Sequence, residues 1–190
     1  SSNGERLLSL VEEILDLAKL DAGKLNLVEN PLRVNEFIKE ITSAFRSSLD
    51  QKSIKLNYEY QLKEELVIMT DEGRCSKIIN NLLSNALKFT RGGEVELRIN
   101  LKDKNEEGIR LIFTVPDTGI GIPKERHESV FQSFTQAETD TTRKYGGTGL
   151  GLSITKNLVE LMDGQISLAS ESGKGAIFRI ELPFKVGTQR

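Results

Sequence analysis

The segment from Glu72 to Phe89 constrains the fold most, because its residues have the spacing of a long amphipathic helix. At about 100° per residue, one side of this helix carries apolar side chains and the other carries polar ones. The preceding Thr70-Asp71 pair supplies the predicted N-cap. An apolar side of this width must pack against a sheet or other helices. The apolar side is formed by Cys75, Ile79, Leu82, Leu83, Ala86 and Leu87, with Cys75 predicted to be a buried structural thiol.

The rest of the chain alternates between short strand patterns and two further helices, predicted over Pro31–Leu49 and Leu150–Met162. Most of the strands are joined by hairpin turns, and no regular strand-helix alternation is present. The pattern therefore predicts an α+β fold, a two-layer α/β sandwich with three helices on one face of a mixed sheet. The predicted strands are Lys24–Val28, Ile54–Tyr60, Leu66–Met69, Glu94–Leu101, Ile109–Val115, Gln165–Ser170 and Ala176–Pro183, with a short helix over Lys124–Phe131.

The composition excludes several classes of function. The 190 residues include 26 Lys and Arg and 28 Asp and Glu, for a net charge of −2. A protein that binds DNA through its phosphates usually has a basic excess, so we expect no nucleic-acid partner. One cysteine and one histidine make neither a disulfide nor an ordinary zinc site. No apolar run approaches the roughly 18 residues of a membrane span, so we expect no membrane insertion by this chain.

The first segment, Glu5 to Asp21, reads as a helix with an unusually wide apolar stripe. It ends at Ala22-Gly23, a typical C-terminal stop. Periodicity alone leaves two interpretations open. The helix either docks on its own domain or is one piece of a larger helical bundle.

The polar side of the Glu72–Phe89 helix carries Asn81, Asn85 and Lys88 in one line, at i, i+4 and i+7. A solvated face is the simplest interpretation of such a line. Asparagine is, however, a weak helix former, which makes two of them a poor choice for a merely solvated face. An amide oxygen is a good magnesium ligand, and a lysine one turn away suits a phosphate.

Two glycine-rich segments complete the set of candidate binding elements. Asp117 stands at the end of a strand and is followed by Thr118, Gly119, Ile120 and Gly121. A buried carboxylate there needs a donor such as the exocyclic amine of adenine, although a plain strand-ending turn is the alternative. The second segment, residues 146–153, has the sequence GGTGLGLS and directly precedes a helix, where free N–H groups and the dipole favour an anion.

Four ordered segments resemble the conserved boxes of sensor histidine kinases. Residues 81–90 (NLLSNALKFT) resemble the asparagine box, 117–123 (DTGIGIP) the first glycine box, 131–134 (FQSF) the phenylalanine box and 147–153 (GTGLGLS) the second glycine box. The resemblance covers residues 24–184. Residues 5–24 are similar to the end of the second helix of the dimerisation and phosphoacceptor hairpin. The resemblance thus implies three regions. These are the hairpin helix at 1–23, the catalytic ATP-binding domain at 24–185 and a tail at 186–190.

The resemblance implies a Bergerat-type fold that uses ATP and Mg²⁺. Asn85 would hold Mg²⁺, Lys88 would contact phosphate, and Asn81 would support them in catalysis. Asp117 would accept from the adenine amine, while Phe131 and Phe134 would anchor a lid over residues 135–148. The implied nucleotide contacts are Asn85, Lys88, Phe89, Asp117, Thr118, Gly119, Ile120, Gly121, Lys144, Gly147, Thr148, Gly149, Leu150, Gly151 and Leu152.

The implied activity is transfer of the ATP γ-phosphate to a histidine for relay to a response regulator. His127, the only histidine, does not stand in an acceptor motif and is predicted to be a surface residue. We therefore expect no autophosphorylation by this chain alone, with the acceptor on a hairpin of the same protein. The implied partners are that hairpin, a receiver domain and a second copy in the full-length protein, which the resemblance places as a cytoplasm-facing part of a membrane-anchored sensor.

Two alternatives use the same fold, namely ATP hydrolysis and nucleotide binding without catalysis. Hydrolases of this fold typically carry a glutamate base four residues before the magnesium asparagine. Asn81 stands there and cannot take a proton at neutral pH, which argues against hydrolysis. Pro116 is a departure from the family pattern, and it predicts that the end of the strand before Asp117 is edge-like or bulged.

Overall fold

The computed structural model describes residues 3–49, 53–132 and 150–188. The α-helices are α1 Asn3–Asp21, α2 Val34–Ser47, α3 Glu72–Phe89 and α4 Gly151–Leu161, with 3₁₀ turns at Lys124–Arg126 and Ser129–Phe131. The strands are β1 Asn30–Arg33, β2 Ile54–Tyr60, β3 Val67–Thr70, β4 Gly93–Asn105, β5 Gly108–Asp117, β6 Gln165–Ser170 and β7 Ala176–Val186.

The seven strands form one mixed sheet in the order β1-β3-β7-β5-β4-β2, with β6 also paired to β7. Only β2 and β4 pair in parallel, and all other neighbours are antiparallel. β7 holds the sheet together, because most of its length pairs with β5 and β6 while its end pairs with β3. The helices lie on one face of the sheet, which confirms the predicted two-layer α+β fold.

The predicted apolar side of α3 faces the core. All six of its predicted residues are buried, and Ile78 joins them. Burial raises the pKa of the Cys75 thiol to about 11, so this cysteine is a protonated core residue, as predicted. The Asp71 side chain accepts the Arg74 N–H at 3.1 Å, which confirms the predicted N-cap.

The first strand differs from the prediction, which placed a strand at Lys24–Val28 and a helix start at Pro31. Residues 24–29 have no regular structure, β1 covers Asn30–Arg33, and α2 begins at Val34. Proline is tolerated here because β1 is an edge strand that pairs only with β3. The alternating side chains of residues 24–28 therefore did not indicate where the first strand lies. Its position is set by pairing with β3 at the edge of the sheet.

The prediction for Pro116 is confirmed in part: β5 lies between β4 and β7 and has no bulge here, but its end is edge-like on the side of β4. The pairing with β7 is continuous through Pro116 and Ile177. The pairing with β4 keeps one register from Thr114 to Asp117 and gives no partner to the two residues between them. A proline without an N–H thus interrupts the hydrogen-bonded ladder on one side only, with no bulge, and Asp117 keeps its place at the strand end.

Three smaller differences concern element ends. The predicted helix over Lys124–Phe131 is two separate 3₁₀ turns, of which Val130 is the only buried residue, so no apolar face supports a longer helix. The strands of the β4–β5 hairpin continue to Asn105 and restart at Gly108. Val186, the first residue of the predicted tail, belongs to β7 and pairs with Ile68.

α1 is helical as predicted and has no buried residue. One side packs against the core through the partly buried Leu10, Leu17 and Leu20. A second apolar side is exposed and carries Leu7, Leu8, Val11, Ile14 and Leu15. Asp16 pairs with Arg74 of α3 at 3.7 Å, and the Val28 N–H after α1 donates to Asp71 Oδ2 at 3.0 Å. The helix therefore docks on the domain while keeping an apolar side free within the described residues.

Candidate nucleotide site

Four elements that are far apart in sequence meet around one pocket: the end of α3, the loop after β5, the start of α4 and the start of β7. Six lining residues were predicted from sequence, namely Asn85, Phe89, Asp117, Ile120, Gly121 and Leu152. Three separate motifs are therefore brought to one place. The remaining lining residues are Ile122, Pro123, Arg126, Val130, Ala176 and Phe178.

Asp117 is the only carboxylate that lines this pocket in the described part of the chain. Its Oδ1 accepts the N–H groups of Gly119 at 2.9 Å and Ala176 at 3.3 Å. Burial raises the pKa of Asp117 above its usual value, and the two backbone N–H groups partly oppose that rise. Oδ2 has no donor among the described residues. The carboxylate is thus held by one oxygen and presents the other as an acceptor.

The loop after Asp117 is fixed by the turn between β6 and β7. Gly173 N–H donates to the Ile120 carbonyl at 2.7 Å, and Ile122 N–H donates to Ser170 Oγ at 2.8 Å. On its other side, Ile120 N–H donates to the Phe89 carbonyl at 3.2 Å. These bonds join the loop to both β6 and α3, so the pocket wall is formed before any ligand arrives.

Gly121 makes this close approach possible. Its φ is +71°, and a Cβ there would lie 2.0 Å from the Glu171 carbonyl oxygen. The family resemblance implied that Gly119 and Gly121 contact the nucleotide. At Gly121 the space is instead taken by the protein's own β6–β7 turn, which is a structural use of the same residue type.

Gly121→Ala is therefore expected to lower the free energy of unfolding by at least about 2 kcal/mol, because strain at positive φ adds to the clash with Glu171. Gly173→Ala is the matched control. Gly173 also has a positive φ, +82°, but a Cβ there meets nothing within 4 Å. Urea unfolding of both variants measures the difference, and equal losses would contradict the assigned contact.

The polar line of α3 divides into different roles. The Asn81 amide donates to the Gly151 carbonyl and to Thr155 Oγ1, each at 3.2 Å, and so ties α3 to the first turn of α4. Asn85 lines the pocket, and its side chain makes no hydrogen bond within the described residues. Burial lowers the pKa of Lys88, whose Nζ lies 5.1 Å from the centre of the Phe89 ring.

Other predicted residues lie around the pocket rather than in its wall. Thr118 turns its hydroxyl to β4, where it accepts the Glu94 N–H at 3.0 Å. Leu150 is fully buried, and its carbonyl accepts the Ser153 hydroxyl. Phe131 packs edge-on against Phe178 at 6.1 Å between ring centres. The predictions for Phe134, Lys144, Gly147, Thr148, Gly149 and the lid at 135–148 lie on or within residues 133–149, outside the described residues.

His127 is half-buried rather than on the surface as predicted. Its Nε2 donates to the Ile122 carbonyl at 2.9 Å, so the ring braces the loop beside the pocket.

Arg126, Ala176 and Phe178 line the pocket but had no role predicted from the sequence. Ala176 and Phe178 belong to β7, 59 or more residues after Asp117. Only the pairing of β5 with β7 brings them there, and no local pattern signals it. Arg126 lies three residues after the loop. The signal that the sequence offered was a basic residue close to the apolar residues Ile120, Ile122 and Pro123.

The donor set suits Mg²⁺ that arrives with a phosphate ligand. The described residues contain no group of three or more His, Cys, Asp or Glu side chains able to hold a metal. Mg²⁺ prefers oxygen ligands and commonly keeps waters and substrate phosphates in its shell. One amide oxygen from Asn85 is consistent with that arrangement.

Within residues 3–49, 53–132 and 150–188, no helix has both the length and the apolar character of a membrane span.

The chain belongs to the family described as histidine kinase-, DNA gyrase B-, and HSP90-like ATPase, which it matches over residues 70–186. It is 38% identical over 184 residues to the autoinducer 2 sensor kinase/phosphatase LuxQ of Vibrio parahaemolyticus, covering 96% of this chain and 21% of LuxQ. It is 41% identical over 183 residues to the circadian input-output histidine kinase CikA of Synechococcus elongatus, covering 95% and 24%. The chain thus spans about a quarter or less of the length of these relatives.

The fold is also shared with a crystal structure of full-length ShkA in complex with AMPPNP. The TM-score is 0.85 at 31% identity, and the match covers 98% of this chain and 37% of ShkA. Relatives and structure together make this chain the ATP-binding catalytic domain of a histidine kinase.

Proposed function

We propose that this domain transfers the γ-phosphate of ATP to a histidine on the phosphoacceptor hairpin of the same protein. The observation that carries the proposal is the pocket itself, which brings Asn85, Asp117 and Leu152 together from three separate motifs. In the transfer, the bond between the γ-phosphorus and the β,γ-bridging oxygen breaks. The unprotonated nitrogen of a neutral imidazole forms the new bond to phosphorus, the other ring nitrogen releases its proton to solvent, and ADP leaves.

The residues divide the work between the base and the phosphates. Asp117 accepts from the adenine amine with Oδ2, while Phe89 and Ile120 cover the purine. Lys88 contacts phosphate. Its pKa is lowered because the ammonium group is partly buried and so partly desolvated. Asn81 acts as a positioning residue, since it fixes the first turn of α4 beside α3.

Asn85 would hold Mg²⁺ through its side-chain oxygen, and the ion would neutralise charge on the phosphates during transfer. This use fits the lining of the pocket, where Asn85 is the only polar side chain that α3 contributes among the described lining residues.

The partners of the whole protein follow from this chemistry. The first is the hairpin that carries the acceptor histidine. The exposed apolar side of α1, within residues 3–21, is the surface that would pack against the rest of this hairpin. The second is a receiver domain whose aspartate takes the phosphate onward, and the third is a second copy of the full-length chain. Because ATP is the phosphate donor, we place this domain on the cytoplasmic side of the membrane-anchored sensor.

The test is a transfer assay with γ-labelled ATP, this chain and the separately supplied hairpin of the same full-length protein. We expect label on the hairpin histidine and none on this chain alone. Release of inorganic phosphate without transfer would identify a hydrolase instead, and ATP binding with neither product would identify a binding module. Either outcome would contradict the proposal, and a hairpin with its acceptor histidine replaced is the control.

A further inference from the structure

One edge of β6 is free in the described part of the chain. The strand, Gln165–Ser170, pairs with β7 alone, and no backbone hydrogen bond joins it to any other described segment. The strands at the two ends of the sheet carry features that prevent further pairing. β1 has four residues and contains Pro31, while β2 carries the exposed charges of Lys55 and Glu59. β6 has neither a proline nor a charged residue, so its free edge can accept another strand.

The side chains of β6 alternate between the two faces of the sheet. Ile166 and Leu168 are partly buried and pack against the core on the side of the helices. Ser167 and Ala169 are exposed on the opposite side, the open face of the sheet. A strand added beside β6 would follow the same alternation. Apolar residues on its helical side would complete the burial of Ile166 and Leu168.

The open face beside β6 has a surplus of positive charge. Glu181 of β7, with a side chain only 6% exposed, pairs there with Lys102, Arg110 and Arg179. The side chains of these three cations are 47%, 37% and 43% exposed. Three positive charges share one negative charge, so the cluster attracts a further negative group.

The register of the sheet places one of these cations next to β6. Arg179 lies opposite Ser167 of β6 and opposite Thr114 of β5, and Thr114 lies opposite Arg98 of β4. Strands lie about 4.8 Å apart, so a strand added to β6 would be about 10 Å from β7 and about 20 Å from β4. Ser167 is too small to fill the space between, so Arg179 can meet an acidic side chain across it, whereas Arg98 cannot.

We propose that the free edge of β6 binds an extended segment of a partner protein by β-strand addition. This segment is apolar on the side of the helices and acidic on the open face. Backbone hydrogen bonds provide the affinity, and Arg179 selects the acidic side chains. A second copy of this chain fits less well, because its own β6 has no acidic residue to place opposite Ser167. The surface does not depend on the nucleotide pocket.

The test is a nuclear magnetic resonance titration of the isotope-labelled chain with end-capped peptides. One peptide alternates valine with glutamate, and the other alternates valine with lysine. We expect the glutamate peptide to bind at least about 10-fold more tightly. It should also slow hydrogen exchange of the β6 amides that face away from β7 and leave the amides of β2 unchanged. A glutamate peptide with proline in place of its central valine keeps the charge but breaks the ladder, and it should bind at least about 10-fold more weakly.

Arg179→Gln is expected to weaken binding of the glutamate peptide by about 3-fold. Arg179→Lys retains the charge and should bind as wild type does. Arg98→Gln is the matched control, because Arg98 lies in the same row, is 45% exposed and also pairs with glutamates. It is too far from β6 to meet the peptide, so it should leave the affinity unchanged.

Equal binding of the glutamate and lysine peptides would overturn the inference, as would equal binding of the proline peptide. Slowed exchange in β2 as strong as that in β6 would overturn it too. None of these measurements requires a variant to fold. Sedimentation that depends on the concentration of the chain alone, together with slowed exchange in β6, would assign the edge to a second copy and reject the partner segment.

Discussion

Asp117→Asn is expected to weaken ATP binding by at least about 100-fold at neutral pH. An asparagine oxygen can replace Oδ1 as the acceptor for Gly119 and Ala176. The amide nitrogen then takes the place of Oδ2 and turns a donor toward the adenine amine. Two donors face each other, and the hydrogen bond to a charged group is lost. Calorimetry with ATP measures the loss.

The same substitution should not destabilise the domain at neutral pH. Burial makes the pKa of Asp117 higher in the folded chain than in the unfolded one, so the ionised group lowers stability as the pH rises through the folded pKa. Asparagine removes this cost. Wild-type ATP affinity should conversely fall on acidification, as the pH passes down through that raised pKa, and the asparagine variant should lack this loss. Asp103→Asn, at an exposed strand position, is the control and should bind ATP as wild type does. Normal ATP binding by Asp117→Asn would show the site to be misassigned.

Asn85→Ala is expected to remove the magnesium dependence of ATP binding and to reduce phosphate transfer to the hairpin by at least about 100-fold. The alanine keeps the helix and removes the Asn85 amide, the one polar side chain of α3 among the described residues that line the pocket. ATP titrations with Mg²⁺ and with a chelator, alongside transfer rates, measure both effects.

Asn80→Ala is the matched control, because Asn80 is the exposed neighbour of this line on the same helix. It should bind ATP with the wild-type dependence on Mg²⁺ and transfer phosphate at the wild-type rate. A Mg²⁺ response that is the same in Asn85→Ala and in wild type would remove Asn85 from the metal site.

Local patterns predicted most of the helices and strands, because their signals lie within the elements themselves. The helix over Glu72–Phe89 was predicted with its bounds, its cap and its buried face, since a period of 3.6 persists over 18 residues. The family resemblance likewise implied that Asn85, Asp117 and the second glycine segment would converge, and Leu152 of that segment lines the pocket with them. The error at Pro31 arose because a proline at an edge strand and one at a helix start look alike in sequence.

What the sequence could not predict depends on contacts between distant segments. The place of Pro116 in a central strand follows from the pairing of β5 with both β4 and β7, which no local feature specifies. The use of Gly121 depends on Glu171, fifty residues further along the chain. β6 was predicted as a strand over its observed residues, but its free edge follows from the order of the strands in the sheet and becomes apparent only in three dimensions.

The two oxygens of Asp71 join the leading helix to the nucleotide site mechanically. One oxygen starts α3 and the other holds Val28, which follows α1, while Asp16 of α1 pairs with Arg74 in the first turn of α3. A rotation of α1 would therefore move the N-terminal end of α3, the helix that carries Asn81 and Asn85. The contacts involved do not include the sheet. Movement of α1 would thus reach the wall of the pocket through side-chain contacts at the start of α3.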